Sequence, residues 1–429
     1  MKKLFMSIIL MGFLFTASVT GTPSFGTNEL LKDEELSAPS IPYANIYVDG
    51  KNTQGPWDGT YCHPYRYIQD GINHASDNDI VFVYSGIYNG NIFINKPLKL
   101  FGENQTNTII DGEHHGDTIR IKSSFVNIKG INIINSSRDG FSGGIKVRDH
   151  PNRLEDITIS NCIINNGGCG LHLGYIDKTS VSNCIIHGNI CESIYIQCLD
   201  DVTIDNCDIY ENGEYFDDIM WKNGGITADG KNINIFDCKI HNNAGQGIFI
   251  SGSYNGKICQ NTISENMEGI ALSGASNFEI INNNVTKNSH TEYYSGNGVH
   301  ILFSDNVLIS NNFISENCFP DQYEGGINID YSYNITVKSN IFSFGKSFWV
   351  IALYCKDNKI IKNNFIDNYK HAFFHYDELD QSNNWDGNYW SGSIIVPKII
   401  LGFMSIELGK HLWFEFDWHP AKQPYDIEV

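Results

Sequence analysis

The sequence predicts an all-β fold, a single-stranded right-handed parallel β-helix of about ten coils with three short strands in each coil. Two repeating patterns and the lack of helical spacing support this prediction. The first pattern is the motif I-x-x-C/N-x-I, which recurs about every 22 to 24 residues with occasional insertions, as stacked units do. Its fourth residue falls on Cys162, Cys184, Cys207, Cys238, Asn261, Asn283, Asn312, Asn340 and Asn364.

The second pattern is a short strand in each unit that begins with a small residue and continues with alternating apolar positions, here named the Gly-Ile strand. These strands begin at Gly144, Gly170, Ser193, Gly225, Gly247, Gly269, Gly298, Gly326, Val350 and Ala372. Alternation with a period of two residues is typical of β-strands. No segment inside a unit has helical spacing, which excludes leucine-rich repeats, a fold with a similar period.

A stack of coils explains why isoleucine, asparagine and cysteine recur. No single coil can bury its own isoleucines, but stacked coils enclose one continuous core. Asparagine suits the turns because it tolerates left-handed backbone geometry and can bond the asparagine of the next coil. The four cysteines of the motif could form disulfides between neighbouring coils. An interior column of free thiols is the preferred interpretation, because small apolar thiols pack well in cores.

The N-terminal region divides into three parts. Residues 1–21 show the charged, apolar and small-residue order of a secretory signal peptide. Residues 22–42 form a flexible lead-in that is rich in Ser, Pro and acidic residues. Residues 43–112 form the N-terminal cap and the first coils. Within them, Tyr65–Ala75 has apolar residues at helical spacing and predicts a capping helix.

The repeats occupy residues 113–376, and residues 377–429 form the C-terminal cap. This cap is aromatic- and Pro-rich without a visible repeat, so we expect an irregular structure. The apolar stretch Ser393–Leu408 is interrupted by Pro397, so we expect it to be folded and expect no transmembrane anchor once the signal peptide is removed.

Charge and cysteine content restrict the partners. The 29 basic residues are outnumbered by 49 acidic ones, and the net charge of −20 repels phosphate backbones. Nucleic acid is therefore not an expected partner. The 11 cysteines include no C-x-x-C pair that would indicate a zinc site. We expect an exported monomer, located outside the cell, at its surface or in the periplasm.

Several passages carry a resemblance to known families. The passage Asp79–Gly112 resembles the opening coils of pectin-methylesterase-like secreted β-helix proteins. The lead IYVDG, the N-x-x-x-G-I-x-L repeats and the FDWHPA ending resemble secreted β-helix proteins of the nitrous-oxide-reductase accessory type, often called periplasmic copper-binding. That domain is shared with carbohydrate-binding proteins and sugar hydrolases, and similar sequences occur among archaeal surface proteins. The resemblance implies the fold, whereas it allows many activities.

Four insertions differ in composition from the coils: 135–143, 213–224, 289–297 and 318–325. Each precedes a Gly-Ile strand, so all should emerge from one edge of the stack, where loops on a rigid scaffold commonly bind ligands. Beside this edge runs the outward column of the Gly-Ile strands. Its members are Lys146, His172, Tyr195, Thr227, Phe249, Ala271, His300, Asn328, Ala352 and Phe374.

Aromatic faces next to carboxylates suit sugar rings, and a linear polymer suits a groove along the stack. We therefore predict that a polysaccharide or surface glycan binds between the column and the loops. The predicted glycan-binding residues are Lys146, His172, Tyr195, Tyr215, Asp217, Asp218, Trp221, Tyr293, Tyr294, His300, Tyr323 and Asn328. The alternatives are that the loop aromatics pack among themselves and that the column is an ordinary solvated strand face.

No catalytic residue is assigned. Asp330 could face Glu324 or Asp321, but nothing in the sequence requires it, and Lys146 with Arg148 beside Asp149 is the only cluster suited to a lyase. A polysaccharide lyase or glycoside hydrolase on the same groove therefore remains an alternative.

A metal site is likewise unassigned. His172 and His300 stand five coils apart, about 24 Å by strand spacing. The sequence requires no cofactor, although calcium or copper binding stays open. A structural or adhesive surface protein and a metal-delivery accessory protein are further alternatives.

Overall fold

The computed structural model describes residues 43–213, 224–289, 296–317, 324–345, 349–376, 382–392, 397–406 and 409–429. The predicted signal peptide and lead-in lie outside these residues. Ala44–Val429 form one unit. No helix in the described part of the chain is long and apolar enough to cross a membrane.

The elements follow the predicted repeat along the chain. The first part contains β1 (Ile46–Val48), α1 (Ile68–His74), β2 (Ile80–Val83), β3 (Gly86–Asn89), β4 (Ile92–Ile94), β5 (Leu98–Gly102), β6 (Thr108–Asp111), β7 (Ile119–Ile121), β8 (Val126–Lys129), β9 (Asn132–Ile134), β10 (Gly143–Val147), β11 (Leu154–Glu155), β12 (Ile157–Ser160) and β13 (Ile163–Asn165). The middle contains β14 (Cys169–Ser182), β15 (Ile185–His187), β16 (Ile194–Asp205), β17 (Asp208–Tyr210), β18 (Ile226–Phe236), β19 (Lys239–His241), β20 (Gln246–Cys259), β21 (Thr262–Ser264), β22 (Glu268–Ser273), β23 (Ser276–Ile281) and β24 (Asn284–Thr286). The last part contains β25 (Val299–Leu302), β26 (Leu308–Ser310), β27 (Phe313–Ser315), β28 (Glu324–Asp330), β29 (Thr336–Lys338), β30 (Ile341–Ser343), β31 (Trp349–Tyr354), β32 (Lys359–Ile361), β33 (Asn364–Ile366), β34 (Ala372–Tyr376), β35 (Asn384–Asp386), β36 (Tyr389–Trp390), β37 (Lys398–Ile406) and β38 (Gly409–Asp417).

Parallel pairing between successive coils confirms the predicted β-helix. Within the described ranges, one sheet contains 13 strands, from β3 to β36, and the other contains 25. In the coils that hold β14, β16, β18 and β20, one long strand bends through two faces instead of forming two short strands. The stack has about 12 turns rather than about ten. The prediction counted too few because the coils before Gly144 and after Tyr376 lack a Gly-Ile start.

The core is a set of stacked isoleucine columns. Inward residues such as Ile145, Ile226 and Ile270 are fully buried, as the alternating pattern predicts. The four motif cysteines are buried and free, which confirms the interior column of thiols. Each thiol lies within hydrogen-bonding distance of the carbonyl oxygen two residues earlier, so these sulfur atoms have polar partners inside the core.

Buried asparagines continue the cysteine column as a hydrogen-bonded ladder. Asn283 shows the geometry: its amide nitrogen donates to Asn312 Oδ1 at 3.0 Å and to Ile258 O at 2.9 Å. The ladder continues through Asn340 to Asn363, not to Asn364 as the motif predicted. The two adjacent asparagines made the register ambiguous. Asn364 instead begins β33.

The predicted capping helix is present as α1. Ile68 and Ile72 are buried against the first strands. Gly71 makes this contact possible, since a Cβ atom there would lie 2.8 Å from Val48 Cγ2. The helix therefore covers apolar side chains at the first end of the stack, which would otherwise expose a strand edge.

The C-terminal end is more regular than predicted. The segment NNWDGNYW forms one more coil, since β35 pairs with β32 and β36 with β33. After it, β37 adds to β34 and pairs with β38 as an antiparallel hairpin. The repeat pattern did not predict this coil, because the coil lacks a Gly-Ile strand.

Two buried carboxylates on β38 terminate the ladders. Asp417 accepts hydrogen bonds from both the backbone and the side-chain nitrogens of Asn388, at 2.9 and 3.1 Å, and from Trp390 Nε1 at 3.0 Å. Glu415 accepts from the backbone of Asn383 at 2.7 Å and from Trp385 Nε1 at 2.6 Å. The two carboxylates thus accept the hydrogen bonds that the nitrogens of the last coil would otherwise donate to a following coil.

Candidate functional site

The Gly-Ile strands place one outward side chain per coil in a continuous column. Register pairs connect Lys146 to His172, then Tyr195, Thr227, Phe249, Ala271, His300, Asn328 and Ala352, in the predicted order. The last member is Phe373, which pairs with Ala352, and not the predicted Phe374. Phe374 is fully buried in the core. Because two phenylalanines are adjacent, the sequence pattern alone does not show which of them points outward.

The first part of the column is basic and aromatic. Lys146 Nζ donates to Phe141 O at 2.7 Å and lies 3.9 Å from Asp117 Oδ1. The ring of His172 meets Tyr195 edge to face with centroids 5.1 Å apart. Burial, and then the charge of Lys146, lower the pKa of His172 to about 4. This imidazole is therefore neutral at pH 7.

The second part is centred on His300, whose two ring nitrogens contact two carboxylates. Nδ1 lies 3.4 Å from Glu268 Oε1, and Nε2 lies 3.1 Å from Asp330 Oδ2. Burial lowers the pKa of His300, but hydrogen bonds to Asp330 and Glu268 outweigh it and raise the pKa to about 10. Asn328 Nδ2 donates to the same Asp330 oxygen at 3.0 Å. The structure thus assembles a charged acid–base group that includes two of the predicted glycan-binding residues.

The sequence did not reveal this group because its members occupy different positions in three coils. Glu268 precedes the column position of its coil by three residues, and Asp330 follows that of its own coil by two. The predicted cluster of Lys146, Arg148 and Asp149 does not form as expected. Asp149 pairs with Lys122 at 3.3 Å, whereas the Arg148 guanidinium lies over Tyr175.

An exposed aromatic pair flanks the His300 group on the edge where the Gly-Ile strands end. Phe303 and Tyr331 are 62% and 63% exposed, and their rings stack with centroids 5.2 Å apart. Both have positive φ angles, 48° and 45°, at a turn where the two preceding coils place Gly252 and Gly274. Phe125, Tyr175 and Phe344 also have positive φ angles, so this backbone geometry recurs in the turns, and the stacking of two exposed rings in successive coils is what distinguishes the pair.

A further aromatic group lies at the C-terminal end of the column. Trp349 stacks on Phe373 at 5.0 Å, and Lys370 Nζ lies 4.7 Å from the Trp349 ring centroid. Trp349 and Lys370 line a cavity of about 320 Å³ together with Trp390 and Lys398. Aromatic surface therefore continues for two coils beyond Asn328.

Part of the predicted site lies outside the described residues. These positions are Tyr215, Asp217, Asp218, Trp221, Tyr293, Tyr294 and Tyr323. Of the four insertions, 135–143 is described throughout, and it provides the carbonyl oxygen of Phe141 that accepts from Lys146.

Metal-ligating side chains come together at one place in the described part of the chain. Cys169, Cys191 and Glu192 have their ligand atoms within 4.8 Å of one another. This group could not be predicted from a sequence motif, because the two cysteines lie in successive coils and not in a C-x-x-C motif. His172 and His300 are five register steps apart, as expected.

Comparison with known proteins gives a family and several similar folds. The sequence profile described as "Right handed beta helix region" matches residues 143–313 and 290–394, which agrees with the predicted hand of the helix. No curated protein matches the chain. Several solved structures have a fold similar to that of this chain.

The A-module of a mannuronan C-5 epimerase from Azotobacter vinelandii is 14% identical, with a TM-score of 0.59 over 79% of this chain and 99% of that one. The surface adhesin PfbA of Streptococcus pneumoniae is 13% identical, with a TM-score of 0.54 over 83% and 95%. DFA-IIIase from Arthrobacter chlorophenolicus, in complex with DFA-III, is 16% identical, with a TM-score of 0.50 over 79% and 86%. At these identities the likeness concerns the fold alone.

Proposed function

We propose that this chain, which belongs to the right-handed β-helix family, is an exported protein that binds a polysaccharide along the outward column of its Gly-Ile strands. The observation that carries the proposal is the column itself, in which seven of the ten side chains from Lys146 to Phe373 are partly exposed, whereas Ala271, Asn328 and Ala352 are buried. Coils repeat about every 4.8 Å, so a linear polymer along the stack would meet a new set of groups at each coil.

The exposed aromatic pair supports a sugar ligand. Phe303 and Tyr331 are exposed beside the His300 group, and their rings stack on each other, so one face of each ring is covered by its partner. Sugar rings carry apolar C–H faces that pack on aromatic rings. Trp349 and Phe373 extend the same kind of surface toward the C-terminal end.

The centre of the column supplies polar partners for hydroxyl groups. Glu268 and Asp330 offer carboxylate oxygens, and the amide of Asn328 lies next to them. Carboxylates accept hydrogen bonds from hydroxyls, whereas an amide can both donate and accept. Side chains alone make these contacts, so the proposed binding needs no cofactor.

The similar structures and the sequence resemblances are consistent with this class of ligand and with export. One similar structure is an epimerase named for mannuronan, another contains bound DFA-III, and a third is a surface adhesin. The resemblance to nitrous-oxide-reductase accessory proteins and archaeal surface proteins also favours a place outside the cytoplasm. We propose the cell surface, with the protein acting as a monomer.

The test uses a panel of soluble neutral and acidic polysaccharides, with affinity measured by calorimetry. Wild-type protein should bind at least one polymer. Replacing both aromatics, as Phe303→Gly with Tyr331→Gly, should weaken that binding about tenfold or more. Because glycine relieves the positive-φ strain, the melting temperature should stay the same or rise.

The matched control is Tyr254→Ala, which removes an aromatic that is 50% exposed on another face of the stack. Its affinity should equal that of wild type. If no polymer in the panel binds, or if the double variant binds as tightly as wild type, the proposed site is wrong. An adhesive role would then be the better explanation.

A second candidate function, cleavage of the bound glycan, is favoured by the two carboxylates on either side of His300. Glycoside hydrolysis uses two separated carboxyl groups as acid and base. Prolonged incubation with a bound polymer should then release new reducing ends, and Asp330→Asn should stop the release even at polymer concentrations that saturate the variant. A polymer that binds and stays intact would exclude this function.

A further inference from the structure

Two cysteines and a glutamate meet at the edge of the outward face, under the insertion 135–143. Cys169 begins β14, and Cys191 and Glu192 lie in the turn before β16 one coil later. Cys169 Sγ is 3.8 Å from Glu192 Oε2, and all three ligand atoms lie within 4.8 Å of one another. This group is separate from the polysaccharide contacts proposed around His300.

The backbone holds these three residues in place. Cys169 N donates to Ser142 O at 2.8 Å, and Cys191 N donates to Gly168 O at 3.1 Å. Gly170 N donates to Glu192 O at 3.1 Å. Since ladder hydrogen bonds of adjacent coils fix both sides of the cluster, little ordering is needed before a ligand binds.

The two thiols differ from the interior column in position and surroundings. The interior thiols contact one another and backbone carbonyl oxygens, whereas Cys191 is half-buried and lies next to a carboxyl group.

We propose that Cys169, Cys191 and Glu192 bind a thiophilic divalent cation of the Zn²⁺ class. Sulfur donors favour Zn²⁺ over Ca²⁺ or Mg²⁺, which take oxygen ligands. Tetrahedral Zn–S bonds of about 2.3 Å place two sulfur atoms about 3.8 Å apart. The observed 4.8 Å limit therefore requires only shifts of the order of an ångström.

The binding step is an exchange of protons for the metal. Two S–H bonds break, two sulfur–metal bonds form, and two protons pass to the buffer, with no change of oxidation state. A water molecule or the carbonyl oxygen of Gly140, which lies 3.7 Å from Cys169 Sγ, would occupy the fourth position. The metal would then join the insertion to two successive coils.

The test adds Co²⁺, and then Zn²⁺, to the full chain after reduction and removal of metal. One equivalent of Co²⁺ should bind with a thiolate charge-transfer band, and Zn²⁺ should displace it. Glu192→Gln, which keeps the side-chain shape, should weaken binding about tenfold or more. Cys191→Ser, which leaves only the Cys169 thiolate, should weaken binding at least as much and reduce the charge-transfer band to about half or less. Cys62→Ser, at an exposed cysteine elsewhere, should bind as wild type.

Melting curves without metal keep the test interpretable. Glu192→Gln and wild type should melt alike in the metal-free state, and only wild type should gain stability on adding Zn²⁺. The proposal fails if Co²⁺ binds without a charge-transfer band or binds Cys191→Ser unchanged. It also fails if Cys169 and Cys191 form a disulfide in protein purified with Zn²⁺ and without reductant.

Discussion

The charged group around His300 gives a prediction whose size can be calculated from the structure. Burial lowers the pKa of His300, but hydrogen bonds to Asp330 and Glu268 raise it to about 10. Histidine in an unfolded chain has a pKa of about 6.5. Between these two values the folded protein keeps a proton that the unfolded chain has lost. The stability of the fold should therefore depend on pH in this range.

The size follows from the shift of the pKa, from 6.5 to about 10. At about 1.4 kcal/mol per unit, this shift corresponds to at most about 5 kcal/mol in the free energy of unfolding. Because the folded pKa is raised, the contribution is fully present below pH 6.5. It falls by about 1.4 kcal/mol for each unit as the pH rises, and it is lost above about pH 10.

The perturbation is Asp330→Asn, which removes one of the two carboxylates that hold the proton. NMR titration of the imidazole should place the pKa of His300 near 10 in wild type and at least one unit lower in the variant. Urea unfolding should show a large loss of stability at pH 6 and a much smaller one at pH 10. The free energies of unfolding of wild type and variant should thus approach each other as the pH rises. A loss of packing would instead lower the free energy of unfolding equally at both pH values.

The matched control is Asp208→Asn, which breaks a His–Asp contact of 3.2 Å with His241. Both members of that pair are more exposed than His300 and Asp330, so the free energy of unfolding should change by less than about 1 kcal/mol. An imidazole of His300 that titrates near pH 6.5 in wild type would refute the reasoning. So would a pKa of His300 that does not change in Asp330→Asn.

Three further predictions concern other parts of the stack. Burial and nearby cations lower the pKa of His172 to about 4. The contribution of the neutral imidazole to the free energy of unfolding is therefore fully present above pH 6.5 and is lost as the pH falls toward 4. His172→Phe should make the free energy of unfolding depend less on pH between these two values. Asp417→Ala leaves buried donors without an acceptor, so it should lower the free energy of unfolding by about 3 to 5 kcal/mol in chemical denaturation. Asp386→Ala, at an exposed carboxylate, should lower it by less than about 1 kcal/mol. Asn283→Ala interrupts the ladder and should cost about 2 to 4 kcal/mol, but exposed Asn284→Ala should change the melting temperature little.

The fold was predictable from the sequence because the information is local and repeated. Each coil carries its own alternation, its own turn asparagine and its own buried isoleucines, so an error in one coil does not change the overall prediction. The errors occurred where the pattern is locally degenerate. Asn363 and Asn364, like Phe373 and Phe374, satisfy the motif equally well, and only the register with the preceding coil decides between them.

The candidate site was predictable only in part, because it depends on contacts between coils. Alternation identifies His300 and Asn328 as outward residues. It does not show that Glu268 and Asp330, at other positions of neighbouring strands, reach the imidazole. Longer side chains cross from one column to the next, and the sequence pattern does not fix their direction. The cluster of Cys169, Cys191 and Glu192 was not predicted for the same reason, because it also depends on contacts between coils.

The unequal variability of the columns indicates where a specific function must lie. Inward positions repeat isoleucine because each must fill the same space between the same neighbours. Outward positions have no such constraint, and their residue types differ from coil to coil. In the coil that holds Asn261–Asn288 the column position is Ala271 and the one member of the His300 group is Glu268, whereas the next two coils supply His300, Asn328, Asp330 and the exposed aromatic pair. A scaffold alone would need none of these groups. The departures from the plain coil are therefore the positions at which we expect substitutions to change binding.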